Sequence, residues 1–248
     1  MPDKEQAQET RKLIESKNSW SKQEIERVAE ERTDEVAREL KGAFNFLANY
    51  PKSVTFFGST MAREGDPYYE SAKTLASRIA KELEYAVLTG GGPGIMEAAN
   101  RGAFESGGKS LGLTIELKNK QITNKYLTSQ LDFYYFFVRK VCLSFSAEAF
   151  IFYPGGYGTL DEFFELLTLV QTKKIEGVPL ICVGPEYWNK VKDLMKNGML
   201  NTNFILSEDL DLFTITDDLD QVVDIIKNVP VRISLPFNGT SEEVVVTA

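Results

Sequence analysis

The chain has 248 residues, a net charge of −8 from 28 basic and 36 acidic side chains, and a hydrophobic content of 43%. That length supports one large α/β domain with a full core, and the acidic balance argues against a general nucleic-acid binder, which shows a basic surface. Histidine is absent, which excludes Ser-His-Asp and Cys-His catalysis and histidine-ligated metal centres; acid–base chemistry must come from carboxylates, Lys, Tyr or the substrate itself.

Residues from about 3 to 48 read as helical and highly charged. Ile25, Val28, Ala29, Val36, Leu40, Phe44 and Leu47 recur at roughly helical spacing, and Ser21 followed by Glu24 reads as a capping box. The stretch MPDKEQAQETRK holds no apolar signal core, and no apolar run reaches the roughly 18 residues of a membrane span. Cys142 and Cys182 stand in apolar surroundings and read as buried free thiols. The expectation is a cytoplasmic protein with no membrane partner.

From Ser53 onward strands and helices alternate. Strands are predicted near 53–58, 85–89, 110–116, 131–135, 148–153, 179–183 and 211–215. Helices are predicted near 67–83, 93–106, 137–146, 159–173, 185–196 and 217–228. This pattern predicts a doubly wound, mostly parallel sheet with helices on both faces. The expected organisation is a helical extension over 1–50, a nucleotide-binding α/β domain over 51–230 and a C-terminal tail over 231–248. Ligands of such sheets bind at the carboxyl ends of the strands.

Two glycine turns fall at such ends. The apolar run Ala149–Tyr153 leads into Pro154-Gly155-Gly156-Tyr157-Gly158-Thr159 and then a helical pattern. The run Ala86–Thr89 leads into Gly90-Gly91-Gly92-Pro93-Gly94 and the helix opening Ile95-Met96-Glu97. Glycine lets backbone N–H groups approach an anion, and a helix N-terminus adds partial positive charge. The pair predicts a phosphorylated ligand gripped from two sides, with Gly58-Ser59 after the first strand as a third element. The first turn is not a dinucleotide fingerprint, since Ile95 stands where glycine is needed. Gly108-Lys109-Ser110 is not a P-loop, since Ala103 stands where the pattern needs glycine.

Two side chains have competing readings. Thr159-Leu160-Asp161-Glu162 fits a capping box, in which Glu162 only closes a helix end, as well as it fits a catalytic carboxylate. Asp161 projects about 100° away from Glu162 around a helix, so the two are not an acid/base pair. Arg139, in Phe136-Phe137-Val138-Arg139-Lys140, is either a surface arginine with a packed stem or a guanidinium at the pocket.

Taken together and in this order, TGGGPGIMEAANRGA at Thr89–Ala103, FFVRK at Phe136–Lys140 and PGGYGTLDE at Pro154–Glu162 resemble the LOG family, whose members were long labelled possible lysine decarboxylases. The resemblance covers about Val54 to Ile226. It implies a Rossmann-like fold, a homodimer or higher homo-oligomer, and a phosphoribohydrolase that needs neither metal nor organic cofactor. Such an enzyme cleaves AMP or cytokinin riboside 5′-monophosphates to free base and ribose 5-phosphate. The resemblance matches the family's catalytic pair to Arg139 and Glu162, and its phosphate- and ribose-holding segment to Gly156, Tyr157, Gly158 and Thr159. It also matches a binding threonine to Thr168 and the lysine beside the arginine to Lys140. Gly58, Ser59, Gly91, Gly92, Gly94, Met96, Glu97 and Gly155 complete the expected substrate-binding set. Phe137-Val138 departs from the Met-His of short plant-type members at a position that lines the base pocket. The alternative function is a nucleotide-binding or sensing module without turnover.

Overall fold

The computed structural model describes residues 21–115, 123–145, 147–175 and 177–229. The predicted tail at 231–248 and the start of the predicted N-terminal helix lie outside them. The described residues form two compact units that divide between Asn45 and Phe46.

The first unit holds most of helix α1, Lys22–Leu47. Its capping box forms as expected: the Glu24 carboxylate accepts from Ser21 N (2.8 Å), and Glu24 N donates to Ser21 Oγ (3.3 Å).

The second unit is a seven-stranded sheet in the order β4-β3-β2-β1-β5-β6-β7. The strands are β1 Ser53–Phe57, β2 Ala86–Thr89, β3 Ser110–Ile115, β4 Ser129–Phe133, β5 Ala147–Phe152, β6 Leu180–Cys182 and β7 Phe213–Ile215. Every pair is parallel. Helices α2 Pro67–Glu82, α3 Ile95–Glu105, α4 Phe136–Phe145, α5 Tyr157–Gln171 and α6 Pro185–Met195 lie between strands, and α7 Leu219–Asn228 follows β7. The α/β, Rossmann-like doubly wound reading therefore holds. A π-helical turn at Lys196–Leu200 and a 3₁₀ turn at Ser207–Asp211 precede β7, and the sequence pattern did not reveal either.

The central strands are buried on both faces, as a parallel sheet requires, and their residues alternate between two helical layers. Val54, Phe56, Ala149 and Ile151 join residues of α2, α3 and α7 in one core. On the other face, Phe152 meets Phe163 of α5 and Trp188 of α6, and Thr55 Oγ1 donates to the Leu143 carbonyl of α4. Helices α4 and α5 thus share one face. The strand order reverses between β1 and β5, which places a crevice beyond their carboxyl ends.

Candidate active site

The ends of β1, β2 and β5 converge on Ser59. Its N–H donates to the Pro154 carbonyl (3.0 Å), and its carbonyl accepts from Ile95 N–H (3.0 Å). Gly94 makes this closure achievable: its φ is +76°, and a β-carbon there would collide with the Ser59 carbonyl. Gly155 is constrained by space alone, since a β-carbon would collide with the Thr159 side chain. Gly156 and Gly158 differ. They are exposed, and a β-carbon on either would meet nothing. The protein's own packing therefore requires Gly94 and Gly155, and leaves Gly156 and Gly158 bare toward solvent at the N-terminus of α5.

The upstream turn is held by a buried polar network. Thr89 Oγ1 accepts from Gly91 N–H (2.8 Å) and donates to Asn100 Oδ1 (2.6 Å). Asn124 donates through its main chain to Gly91 O (2.9 Å) and through Nδ2 to Gly92 O (3.0 Å) and Asn100 Oδ1 (2.9 Å). The Gly91 N–H is therefore already committed. Asn100 and Asn124 were absent from the expected site. Their signal in the sequence is weak, because each is a single polar residue whose burial depends on distant segments.

Arg139 and Glu162 are both buried, at 9% and 8% exposure. Periodicity explains this. On α4 the buried residues Val138, Arg139, Cys142 and Leu143 share one stripe, and on α5 Thr159, Glu162, Phe163, Leu166 and Leu167 do. Each charged residue occupies a core position of its helix. Arg139 Nε donates to Leu113 O (2.5 Å) and Nη2 to Gly90 O (3.4 Å), at the ends of β3 and β2. The surface-arginine reading does not survive. Burial draws the Arg139 pKa down, and the Glu162 charge opposes that.

The capping-box reading of Glu162 fails as well. Helix α5 begins at Tyr157 with Gly156 as its N-cap and no side-chain cap, so Thr159 already lies inside the helix. The Glu162 Oε2 atom is buried without a hydrogen-bond partner. Burial pushes the Glu162 pKa up to about 7; Lys140 and Arg139 pull it down, and Glu165 and Asp161 push it up. A buried carboxyl that is half-ionised near neutral pH is equipped to accept a proton or to stabilise a cation.

An open cleft of about 720 Å³ is lined by Lys140, Tyr157, Leu160, Asp161, Phe164, Glu165, Thr168 and Leu169; neither Arg139 nor Glu162 lines it. Thr168 lies on this wall, with its hydroxyl donating to Phe164 O (2.7 Å). Glu97 is held apart by the Tyr69 hydroxyl, which donates to its Oε1 (3.2 Å). Met96 approaches Gly90, where a β-carbon would lie 2.8 Å from its sulfur. Among the described residues, no group of three or more His, Cys, Asp or Glu could hold a metal ion, and no helix is long and apolar enough to cross a membrane.

Residues 96–226, more than half of the chain, match the family described as possible lysine decarboxylase. The chain belongs to that family. Its curated relatives are LOG proteins. The cytokinin riboside 5′-monophosphate phosphoribohydrolase of Rhodococcoides fascians is 33% identical over 120 residues, 48% of this chain and 61% of that protein. The enzyme LOG5 of Arabidopsis thaliana is 29% identical over 121 residues, 48% of this chain and 53% of that protein. The chain thus matches between half and two thirds of the length of these LOG relatives. The fold is shared with solved structures of low identity. TM1055 has a TM-score of 0.54 at 21% identity, covering 72% of this chain and 99% of that one. The molybdenum cofactor carrier protein of Chlamydomonas reinhardtii has 0.51 at 20%, covering 71% and 94%.

Proposed function

We propose that this LOG-family chain is a phosphoribohydrolase that cleaves the N-glycosidic bond of AMP or of cytokinin riboside 5′-monophosphates, releasing the base and ribose 5-phosphate. The observation that carries the reading is the Glu162 carboxyl, buried with one unpartnered oxygen and within the field of the buried Arg139 guanidinium. Cleavage of this bond passes through an oxocarbenium-like state with positive charge on the ribose. The Glu162 anion stabilises that charge and takes a proton from the attacking water. Arg139, tied to two strand-end carbonyls, keeps the anion oriented or neutralises charge near the leaving base. The bare Gly156–Thr159 helix start receives the 5′-phosphate, and that remote contact positions the sugar.

A pyridoxal-dependent decarboxylase fits these residues poorly. A Schiff-base lysine needs a lowered pKa. In the cleft, burial disfavours the charged form of Lys140, but the hydrogen bond to Asp161 and the ion pair to Glu165 outweigh it and hold its pKa above the ordinary value.

Incubation with AMP and with prenylated adenosine monophosphates in the presence of EDTA is expected to release base and ribose 5-phosphate in equal amounts. No base from any of them, or activity that returns only with a divalent ion, overturns the reading.

The working unit is proposed to be a homodimer or larger homo-oligomer. Tyr134, Phe136, Phe137 and Val141 are 70%, 55%, 55% and 43% exposed, and Tyr157 is 95% exposed, an apolar surface that a second copy would cover. Sedimentation at micromolar concentration is expected at twice the 27.9 kDa of the chain or more; a monomer contradicts it. Cys142 and Cys182, buried and in no disulfide, suit a reducing cytoplasm.

A further inference from the structure

Lys140 follows Arg139 on α4, and Asp161 precedes Glu162 on α5. The Lys140 ammonium lies 2.8 Å from Asp161 Oδ2 and 2.8 Å from Glu165 Oε2. Asp161 and Glu165 are four residues apart, so they share one helix face and clasp a cation offered by the neighbouring helix. The lysine and Glu165 side chains are 21% and 33% exposed, whereas Asp161 is 62% exposed, so the pair with Glu165 is the less screened of the two.

We propose that Lys140 is a positioning residue: its ion pairs to Asp161 and Glu165 lock α4 to α5, so that Arg139 and Glu162, one residue along each helix, are held together at the site. This assignment rests on the phosphoribohydrolase reading and replaces the substrate-binding role that the family resemblance implies for Lys140. Two carboxylates already occupy the ammonium, and a phosphate would have to displace them. Of the four charged groups that act on Glu162, Arg139 and Lys140 come from α4, and Asp161 and Glu165 from α5; Lys140 is the strongest influence favouring the anion. The strut thus offsets the two acidic neighbours that would otherwise keep Glu162 protonated.

The test compares Lys140→Met, Lys140→Arg, the double variant Asp161→Asn/Glu165→Gln and the triple variant that adds Lys140→Met to it, all in the full chain. Lys140→Met is expected to lower kcat by about tenfold or more, as a small misplacement of reacting groups does. The KM for AMP and the preference for AMP over adenosine are expected to stay nearly unchanged. Lys140→Arg should restore most of the turnover. The double variant should reproduce the loss, and the triple variant should be no worse than Lys140→Met, because one strut is removed in each case. A raised KM with loss of the preference for AMP makes Lys140 a phosphate ligand and overturns the proposal, as do additive losses in the triple variant. If Lys140→Met does not fold, the double variant carries the same kinetic test.

A second measurement is independent of turnover. In protein labelled with ¹³C at glutamate carboxyls, the Glu162 resonance is identified by its absence from Glu162→Gln. Its titration midpoint is expected to move upward in Lys140→Met and to stay in place in Lys140→Arg. An unmoved midpoint in Lys140→Met overturns the strut even if the native protein cleaves nucleotides. A moved midpoint in a protein that releases no base leaves the strut standing and removes only the reaction assigned to the site.

Discussion

Glu162→Gln is expected to lower kcat at least about a hundredfold while nucleotide binding persists, because the amide keeps the size and loses the charge that an oxocarbenium-like state needs. The folded protein should not be weakened by this change. Burial raises the Glu162 pKa from 4.5 to about 7, so the folded state favours the protonated acid. Its contribution to stability is full below the unfolded value near pH 4.5 and is lost as pH rises through about 7. The loss reaches roughly 3 kcal/mol above that pH. Glutamine never ionises. Thermal unfolding should therefore show Glu162→Gln more stable than the native chain at pH 8, with the advantage vanishing near pH 4.5. On the proposed mechanism the anion is the working form, so kcat of the native chain should rise with pH through a midpoint near 7. Normal turnover by Glu162→Gln sinks the mechanism, and an equal loss of stability at every pH would assign the carboxylate a structural role instead.

Gly158→Ala is expected to separate stability from substrate binding in the opposite way. Gly158 is the second residue of α5 and has no backbone strain that demands glycine; its missing β-carbon faces open space. Alanine there should stabilise the helix by about 0.5–1 kcal/mol. The same methyl group stands where the 5′-phosphate is proposed to approach the helix start. The kcat/KM for AMP should fall by at least about tenfold, with little change for adenosine, whose cleavage uses no phosphate contact. In the native chain the preference for AMP over adenosine should exceed about a hundredfold. Equal kcat/KM for the two substrates, or a Gly158→Ala protein with unimpaired AMP cleavage, removes the phosphate from the N-terminus of α5.

Much of this protein is written in local pattern. Short apolar runs bounded by glycine and polar turns placed the seven strands of the second unit, and 3.6-residue periodicity placed helices α2 to α7, within a few residues of where they form. The capping box at Ser21 and Glu24 was equally legible, because its partners are three residues apart. The motif order from Thr89 to Glu162 was enough to point to the LOG family. The positions of Arg139 and Glu162 within apolar helical stripes also carried a signal, since a charge at a core position is buried once the helix docks.

Tertiary structure alone decided the rest. The order β4-β3-β2-β1-β5-β6-β7 depends on which strands pair across long stretches of chain, and that order brings the ends of β1, β2 and β5 to Ser59. Thr159-x-x-Glu162 has the composition of a cap, yet α5 starts earlier, at Tyr157, and the docked helix turns Thr159 and Glu162 inward. The glycines of the turns look alike in sequence; only the closeness of Ser59 and Thr159 separates those that packing requires from those left bare toward solvent. The family resemblance makes Lys140 a substrate-binding residue, whereas the approach of α4 and α5 sets two carboxylates 2.8 Å from its ammonium. Local hydrogen bonds and periodic burial act over a few residues and can be read along the chain, whereas desolvation and ion pairing arise between segments brought together only by folding.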